Sequence, residues 1–559
     1  MPGAPTPLVR AAIGLLATVV MVVGAFSLGR PGYSVDEEFT VFAVRGIQQH
    51  GLPLLPSSLL YDRGLAYSYA SWLAGAVTGV ELPAYRALSL ISAALIVVLC
   101  FILVRRVAHS NAAIAASLLV ASSIPFWATA TTARFYAPFL AVSLALLLVF
   151  STLRTSCTLR ALCTVAALSA LARWTHELAF LLAAVPTVCW LLARGDRRRW
   201  FYGAIAMAAG LLGAQAVLFV LHALAPSSGD TMVRRFFLWQ VLNLFEQPGH
   251  RQFTIPIVVM VIGWIIVPRH RWWVSVSALS IAAMILTFSI AQASNAAPLS
   301  RALVQSVVFE GSRYPLDMFW HIARATPFTL LLAVAMLVYR ARQAASPVPR
   351  RAAHALWIGW VLWFGVIESG ITTNYLLLPM SFMLIAIAID LPAIPLVAAV
   401  LSAVVIADQW RGGSLERARP TIAAEGMAEI RAGLQPNDRV VCTDELGCLM
   451  LAGRIDRWLA LDDFVRERFV VQRGSRPTGV YTGVPAVFRP SEVFEPNADG
   501  TLPDRTIVID VFKDYPIGNS RSWLPRALEE SGLTVTPLLE TPQLRVLQIS
   551  PPEQHVRLR

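Results

Sequence analysis

The sequence predicts an α-helical polytopic membrane protein that ends in a small α/β domain. Of its 559 residues, 56% are hydrophobic and 14% are charged, whereas a soluble protein carries roughly 25% charged residues. About thirteen apolar runs, the first at 8–28, approach the length of roughly 20 residues that crosses a bilayer. These runs stop near residue 408, so we expect a membrane domain at 1–408 and a soluble domain at 409–559.

The orientation of the spans follows from the arginines between them. Arginine clusters fall in alternate short loops, which the positive-inside rule assigns to the cytoplasm. The runs lie near 8–28, 84–104, 111–130, 135–152, 161–176, 178–193, 201–222, 254–267, 273–291, 325–339, 355–368, 375–389 and 393–408. An odd number of spans from a cytoplasmic N-terminus places the C-terminal domain outside. We therefore expect a multi-pass protein of a bacterial cytoplasmic (inner) membrane, with this domain on the periplasmic side.

The net charge of +12 is a topology signal and does not indicate a nucleic-acid partner. The basic residues form short clusters between apolar runs instead of one basic surface. Membrane lipids are therefore the partners that this composition implies. The loops expected on the outer side are 29–83, 131–134, 176–177, 223–253, 292–324 and 369–374.

The C-terminal domain is expected to mix strands and helices. Strand-like runs cover 439–442, 506–512 and 544–549, and a helix-like run covers 523–531. No Gly-rich phosphate loop is present, so docking is a better interpretation of this domain than catalysis. Cys442 and Cys448 lack CxxC spacing and could form a disulfide in an oxidising compartment.

An acidic cluster, Asp36-Glu37-Glu38, follows the first apolar run. Carboxylates at the membrane face of a polytopic protein indicate a functional site, because they are costly there without a role. They open the long loop 29–83, in which Leu65–Thr78 forms an amphipathic stretch with Tyr and Trp side chains. Such a stretch suits the bilayer interface, so this loop is expected to lie on the membrane surface.

This region resembles the GT-C glycosyltransferases, in particular their aminoarabinose-transferase and protein O-mannosyltransferase branch. The resemblance lies in SVDEEFTVFAVRGIQQHGLPLLP, YDRGLAYSYASWLAGAVTG and ELPAYRALSLIS. It implies a membrane enzyme that moves a sugar from a polyprenyl-phosphate donor to an acceptor at the outer face. In the matching positions, Asp36 would be the general base, Glu37 its acidic partner, and Arg63 a ligand of the donor phosphate. The acceptor could be a lipid, a glycan or a protein.

The chain also departs from that branch. Arg63-Gly64 stands where aminoarabinose transferases carry a Lys-Pro-Pro run, and the second outer loop contains Arg134 but no acid. Aminoarabinose transfer to lipid A is therefore not expected. His176-Glu177, between two runs on the same side, could supply a second acid, hold a divalent metal ion as cofactor, or position the acceptor.

Several further outer-face residues are candidates for substrate binding. Arg134 could join Arg63 on the donor phosphate, since a guanidinium pairs well with phosphate, although a helix-end arginine that snorkels is equally compatible. The other candidates are Tyr61, Asp62, Tyr136, Arg313 and Tyr314.

Two other classes of function fit a polytopic chain. A transporter or lipid flippase tends to place its polar residues near the midplane, on broken helices of repeated halves. A polysaccharide ligase or polymerase tends to carry its large functional loop late in the chain. Here the charged candidates gather at one face and the richest loop is the first, which favours the glycosyltransferase.

Overall fold

The computed structural model shows a helical membrane domain followed by an α/β domain. It describes residues 6–225, except 35, 154, 184, 187–188 and 190–196; residues 326–391, except 342–349, 351, 355 and 359–375; residues 395–410; and residues 424–550, except 425, 461–468, 474–475, 497–502, 504, 512–523 and 542. The predicted spans at 254–267 and 273–291 lie outside these residues.

The first part of the chain is built from apolar helices that pack side by side. They are α1 (Pro7–Leu28), α2 (Glu37–His50), α3 (Leu65–Thr78), α4 (Leu82–Arg105), α5 (Ser110–Ala121), α6 (Ile124–Ala130), α7 (Tyr136–Thr152), α8 (Leu159–Thr175), a 3₁₀-helix (Glu177–Ala183) and α9 (Arg197–Leu224). Helix α4 packs against α1, α5 and α7, and α8 packs against α9. Helix α4 therefore lies at the centre of this part of the bundle.

Helix α1 shows why these segments form membrane helices. The Thr6 hydroxyl accepts a hydrogen bond from the Val9 amide, and Pro7 fits the first turn, where no intrahelical donor is needed. Its outward side chains stay exposed, as at Phe26, which is 84% exposed. Exposed apolar side chains along a 22-residue helix are typical of a surface that faces lipid.

Three helices of the described residues, α1, α4 and α9, are long and apolar enough to cross a membrane. A fourth candidate is the pair α5 and α6, which meet at an angle of 64°. We expected one uninterrupted run over 111–130. The break has a local cause, because Ser122 and Ser123 bond to carbonyls of the preceding turn and Pro125 starts a new helix. The total of about thirteen spans stays a prediction.

Three later helices complete the helical region among the described residues: α10 (Pro327–Ala341), α11 (Leu377–Asp390) and α12 (Pro395–Gln409). Nearly every side chain of α11 is buried, and this helix packs against α5 and α10. A salt bridge between Arg350 and Asp390 lies at its C-terminal end. An apolar helix that is buried all round belongs to the interior of a bundle.

The C-terminal domain contains the predicted strands. Its elements are α13 (Met427–Gly433), β1 (Arg439–Cys442), α14 (Glu445–Ala452), β2 (Arg457–Leu459), β3 (Val470–Arg473), β4 (Arg476–Gly479), β5 (Ala486–Val487), a 3₁₀-helix (Pro490–Phe494), β6 (Thr506–Val511), α15 (Leu524–Glu530), β7 (Thr534–Glu540) and β8 (Leu544–Ser550). The main sheet has the order β5-β2-β1-β6-β8-β7. Strands β5, β2, β1 and β6 are parallel, whereas β8 pairs antiparallel with β6 and β7.

A disulfide closes the turn after β1. It joins Cys442 to Cys448 of α14, whose Cα atoms are 6.2 Å apart. Both cysteines are fully buried. The bond therefore fixes the residues between strand β1 and helix α14, which face the loop between the first two spans.

The loop between α1 and α4 is in direct contact with the C-terminal domain. The Ser57 hydroxyl donates to the Val480 carbonyl at 2.6 Å, and the Ser57 amide donates to the Tyr481 carbonyl at 3.0 Å. The Tyr33 hydroxyl donates to Asp444 at 3.4 Å. Apolar side chains of α2 and of the loop form one buried cluster with Leu446 of α14 and Val480, which directly follows β4. The C-terminal domain therefore holds the loop that carries the acidic cluster.

Candidate functional site

The candidate residues of the sequence lie where several helices begin. Asp36 precedes α2, Arg63 and Gly64 precede α3, Arg134 precedes α7, and His176 precedes the 3₁₀-helix. Two of these turns touch directly, since a Cβ atom on Gly64 would lie only 2.3 Å from the Phe135 ring. Gly64 also has a φ of +71°, which glycine adopts without strain. The two arginine-bearing turns can approach each other only because Gly64 lacks a side chain.

Asp36 occupies the left-handed backbone region with a φ of 68°. Aspartate tolerates this region better than most residues. Its carboxylate is 16% exposed, and an Asp36 oxygen lies 3.9 Å from a terminal nitrogen of Arg134. The Asp36 carbonyl also accepts a hydrogen bond from Arg134 at 3.0 Å. Asp36 therefore has a fixed position and a carboxylate that remains accessible.

Glu37 is fully buried and serves a different purpose. It forms a salt bridge with Arg86 of α4, in which the Nε and one terminal nitrogen donate at 2.9 and 2.7 Å. The backbone amides of Ser34 and Ala133 donate to it at 2.7 and 2.6 Å. Arg86 in turn donates to the carbonyls of 28, 30 and 32. Four donors leave this carboxylate little capacity for a substrate, so it joins α1, α2, α4 and the turn before α7 that contains Ala133.

Arg134 is 3% exposed and lies in an aromatic setting. Its guanidinium carbon is 4.5 Å from the centroid of the Phe135 ring, and it donates to the Tyr61 hydroxyl at 2.7 Å. Burial alone would lower the pKa of Arg134, but Tyr61, Asp36 and Tyr136 raise it well above its ordinary value. The guanidinium is therefore permanently charged. Its Nε has no hydrogen-bond partner among the described residues.

Tyr61 links this arginine to the loop between α2 and α3. Its ring stacks on Phe39 of α2 with centroids 5.5 Å apart. Burial raises the pKa of Tyr61 to about 12, against the opposing effect of Arg134 and Arg63. The phenol is therefore neutral and can donate its proton in a hydrogen bond. The adjacent Asp62 is nearly buried and lies 3.2 Å from Nε2 of His222, near the end of α9.

Arg63 forms a two-point salt bridge with Glu177. The Arg63 Nε donates at 3.0 Å, and a terminal nitrogen contacts the second carboxylate oxygen. The two side chains are 29% and 19% exposed, so the pair lies at an accessible edge of the site. A guanidinium that holds a carboxylate in this way offers the same fork geometry to a phosphate.

His176 is packed among aromatic rings of α7. Its ring centroid is 5.0 Å from Phe135, 5.6 Å from Tyr136 and 4.9 Å from Phe139. Burial, together with the charges of Arg63, Arg134 and Arg173, lowers the pKa of His176 well below its ordinary value. The Leu178 amide donates to Nδ1 at 3.0 Å, so the proton of this neutral imidazole resides on Nε2. His176 therefore acts as an uncharged wall of the site.

A family model described as dolichyl-phosphate-mannose-protein mannosyltransferase matches residues 62–222, the segment that contains Arg63, Arg134 and Glu177. No curated protein matches the sequence of the chain. Among solved structures, the oligosaccharyltransferase AglB from Archaeoglobus fulgidus, in complex with an inhibitory peptide and a dolichol-phosphate, is similar in fold. It is 11% identical with a TM-score of 0.51, over 89% of this chain and 69% of that one.

The chain shares its fold with this oligosaccharyltransferase, the fold called GT-C. Two further solved structures align over nearly all of it. ArnT from Cupriavidus metallidurans, bound to undecaprenyl phosphate, is 14% identical with a TM-score of 0.44, over 96% of this chain and 97% of that one. The arabinosyltransferase EmbB from Mycobacterium smegmatis is 14% identical with a TM-score of 0.32, over 98% and 64% of the two chains.

The remaining residues predicted from the sequence have different outcomes in the structure. Arg313 and Tyr314 lie outside the described residues. Tyr136 is buried beside His176 and Arg134. In the part of the chain that the structure describes, no three His, Cys, Asp or Glu side chains are grouped to hold a metal ion. His176 faces aromatic rings and Glu177 is committed to Arg63, so these two residues do not form a metal pair here.

Three residues of the candidate site were missed in the sequence. Arg86 anchors Glu37, Phe39 stacks on Tyr61, and His222 contacts Asp62. Arg86 carried a signal that could have revealed it, because it is a charged residue near the start of an apolar run. His222 and Phe39 carried no comparable signal. Each of the three residues belongs to the site only because it contacts a partner more than 20 positions away in the sequence.

Proposed function

We propose that this chain is a membrane glycosyltransferase that transfers a sugar from a polyprenyl-phosphate carrier to an acceptor, with Asp36 as general base. The observation that carries the proposal is one arrangement of charges in a GT-C fold. An accessible carboxylate, Asp36, lies beside the buried cation Arg134, and the accessible fork of Arg63 lies in the neighbouring turn. The dolichol-phosphate in the AglB complex supports a lipid-phosphate donor.

The proposed chemistry is one displacement at the anomeric carbon of the donor sugar. Asp36 takes the proton of the acceptor hydroxyl while the acceptor oxygen forms its bond to that carbon. The bond between the carbon and the carrier phosphate breaks, and the phosphate leaves with its electron pair. Arg63 stabilises the charge that develops on this phosphate, and such stabilisation is strong where water is excluded. Arg134 fixes Asp36 through the hydrogen bond to its carbonyl and the nearby contact with its carboxylate.

Glu37 and Glu177 have supporting roles in this proposal. Glu37 positions Asp36, because its four donors fix the start of α2 against α4 and the second outer loop. Glu177 neutralises Arg63 when no donor phosphate is bound, and the phosphate replaces it. A single displacement with one base inverts the anomeric centre. We place the site at the outer face of a bacterial cytoplasmic membrane, on the side assigned by the positive-inside rule.

The test uses the purified full chain in nanodiscs with a panel of polyprenyl-phosphate sugars, and measures sugar release or transfer. Asp36→Asn keeps the backbone conformation accessible, because asparagine also tolerates positive φ. We expect it to lower turnover by about 10²- to 10⁴-fold, with donor binding retained. Glu530→Gln, which removes an exposed carboxylate of α15, is the matched control and should leave turnover unchanged.

The outcomes separate the possible functions. Undiminished turnover of Asp36→Asn would show that another group is the base. No turnover of any donor by the wild type, combined with lipid translocation in reconstituted vesicles, would overturn the proposal in favour of a flippase.

A further inference from the structure

Asp36 lies in a turn whose backbone conformation has to be held by its surroundings. The Ser34 carbonyl accepts a hydrogen bond from the Glu37 amide at 3.0 Å, which makes Asp36 the third residue of a four-residue turn. Its φ of 68° and ψ of 1° are values that favour glycine at this position of a turn. Among the described residues, Asp36 and Ser58 are the two residues other than glycine with a positive φ. Such a conformation persists only where the neighbouring chain is fixed on both sides.

The chain on either side of this turn is anchored to helix α4. After the turn, Glu37 forms its buried salt bridge with Arg86. Before the turn, Arg86 donates to the carbonyls of 28, 30 and 32, the last at 3.0 Å. Tyr33 therefore lies between residue 32, which the membrane domain holds, and the turn that carries Asp36. Its side-chain contacts fix the position from which that turn starts.

The side chain of Tyr33 is held by the C-terminal domain. It is 3% exposed and packs in one buried cluster with Met427 of α13 and Cys448 of α14. Its hydroxyl donates to Asp444 at 3.4 Å. A Cβ atom on Gly447 would lie only 2.0 Å from that hydroxyl oxygen, so the ring reaches its place because Gly447 has no side chain. We call the pocket formed by Met427, Asp444, Gly447 and Cys448 the tyrosine socket.

The tyrosine socket lies where an α/β sheet commonly binds a ligand. Asp444 follows the carboxyl end of β1, whose neighbours β2 and β6 lie on opposite sides of it in the sheet. In open α/β sheets, the carboxyl ends of the strands at the point where the order reverses form the usual ligand crevice. Here the disulfide between Cys442 and Cys448 fixes the socket, and Tyr33 of the same chain occupies it. The domain thus recognises one side chain of the loop that carries the proposed base.

We propose that Tyr33 is a positioning residue through which the C-terminal domain holds Asp36 in the geometry of a general base. The inference rests on the proposed glycosyltransferase function. The domain contributes no group to the reaction, and the socket acts on turnover only through the turn at Asp36. Arg63 lies in a different turn, before α3, so binding of the donor phosphate does not depend on Tyr33. A displacement of about 1 Å at a reacting group can lower a rate about 100-fold.

Gly447→Ala in the full chain tests the proposal by filling the socket. Alanine favours a helix more than glycine does, so this change should not weaken α14 itself. We expect kcat for sugar transfer in nanodiscs to fall about 10- to 100-fold, with the KM for the polyprenyl-phosphate sugar within about twofold of the wild type. Gly433→Ala at the end of α13 is the matched control, because a Cβ atom there would meet no atom within 4 Å. It should leave both constants unchanged.

A second variant separates the socket from the stability of the domain. Tyr33→Phe keeps the ring in place and gives up only the long hydroxyl contact of 3.4 Å, so we expect it to retain most of the turnover. In Gly447→Ala/Tyr33→Phe, the hydroxyl that meets the new methyl group is gone. The methyl group also comes within 2.1 Å of the Asp444 carboxylate, but that group is the end of a side chain and can rotate. The double variant should therefore be several-fold faster than Gly447→Ala, an interaction that independent substitutions do not show.

The outcomes keep this inference apart from the enzymatic proposal. An active wild type with unchanged kcat in Gly447→Ala would overturn the positioning role and leave the transferase intact. So would a double variant no faster than Gly447→Ala, or a loss of activity that appears as a raised donor KM at unchanged kcat. A wild type that transfers no sugar from any donor would instead refute the transferase itself. Faster amide exchange of peptides from 28–37 in Gly447→Ala, with peptides of β6 and β8 unchanged, would support the socket as the element that holds the turn.

Discussion

Glu445, in the first turn of α14, makes the stability of the C-terminal domain dependent on pH. It is 2% exposed. One of its oxygens accepts from the amide and the hydroxyl of Thr482 at 3.0 and 2.6 Å, and the other has no partner among the described residues. Burial raises the pKa of Glu445 to about 7, with a further contribution from the charge of Asp444. The folded domain therefore prefers the protonated side chain.

The sign and size of the effect follow from this pKa. In the unfolded chain the group titrates near 4.5, so below that pH both states are protonated and the contribution to stability is fully present. As the pH rises from 4.5 through about 7, the unfolded state loses its proton first and the domain loses stability. At roughly 1.4 kcal/mol per pH unit, the difference between the two pKa values corresponds to about 3 kcal/mol.

Glu445→Gln tests this reasoning because glutamine stays neutral and keeps an acceptor for Thr482. We expect wild type and variant to be similar near pH 4.5, and the variant to be more stable by up to about 3 kcal/mol above pH 7. Amide hydrogen exchange of peptides from β1 and α14 measures this in the full chain. Comparing the two proteins at the same pH cancels the pH dependence of intrinsic exchange.

The control is Glu429→Gln, an exposed carboxylate on α13 that should leave the pH profile unchanged. If Glu445→Gln shows the same pH dependence of exchange as the wild type, Glu445 is not the titrating group. If the variant exchanges faster at every pH, the buried amide costs more than the carboxylate and the argument is wrong.

Two further predictions concern the supporting carboxylates of the site. Arg86→Met should leave Glu37 as an unpaired buried charge and destabilise the membrane domain by about 3–5 kcal/mol, which thermal unfolding in detergent would show as a lower midpoint. Adding Glu37→Gln should recover part of this loss, and an unaltered midpoint in the single variant would contradict the structural role of the pair. Glu177→Gln should free Arg63 for phosphate and tighten donor binding several-fold in a titration with a polyprenyl-phosphate sugar. Weaker binding would instead show that Glu177 helps to hold the donor.

Much of the architecture is local in origin and was therefore accessible from the sequence. The stretch Leu65–Thr78 is one helix with the predicted bounds, and the strands at 439–442, 506–511 and 544–550 lie in one sheet. Turn chemistry was harder to foresee. The apolar run over 111–130 gave no sign of its break, because serines and a single proline are also tolerated inside membrane helices.

The same distinction between local and long-range features applies to the candidate site. Topology alone predicts that Asp36, Arg134 and His176 lie on one side of the membrane, because each lies at or just after the end of an odd-numbered predicted span. Their individual partners depend on packing between distant segments. The contact of Gly64 with Phe135, and that of Tyr61 with Arg134, join residues about 70 positions apart. Residue types and spacing cannot report such contacts.

The two adjacent carboxylates show how far a motif can be interpreted without a structure. Asp36 and Glu37 are equivalent in sequence, as acids beside the membrane. The backbone separates them, because the left-handed residue Asp36 directs its carboxylate to the edge of the site while Glu37 enters the first turn of α2 and is buried. Glu37 then meets Arg86 and two backbone amides, whereas Asp36 keeps 16% of its surface exposed. A carboxylate with four donors is a structural anchor, so the burial of Glu37 leaves Asp36 as the accessible member of the pair and the one that we propose as the base.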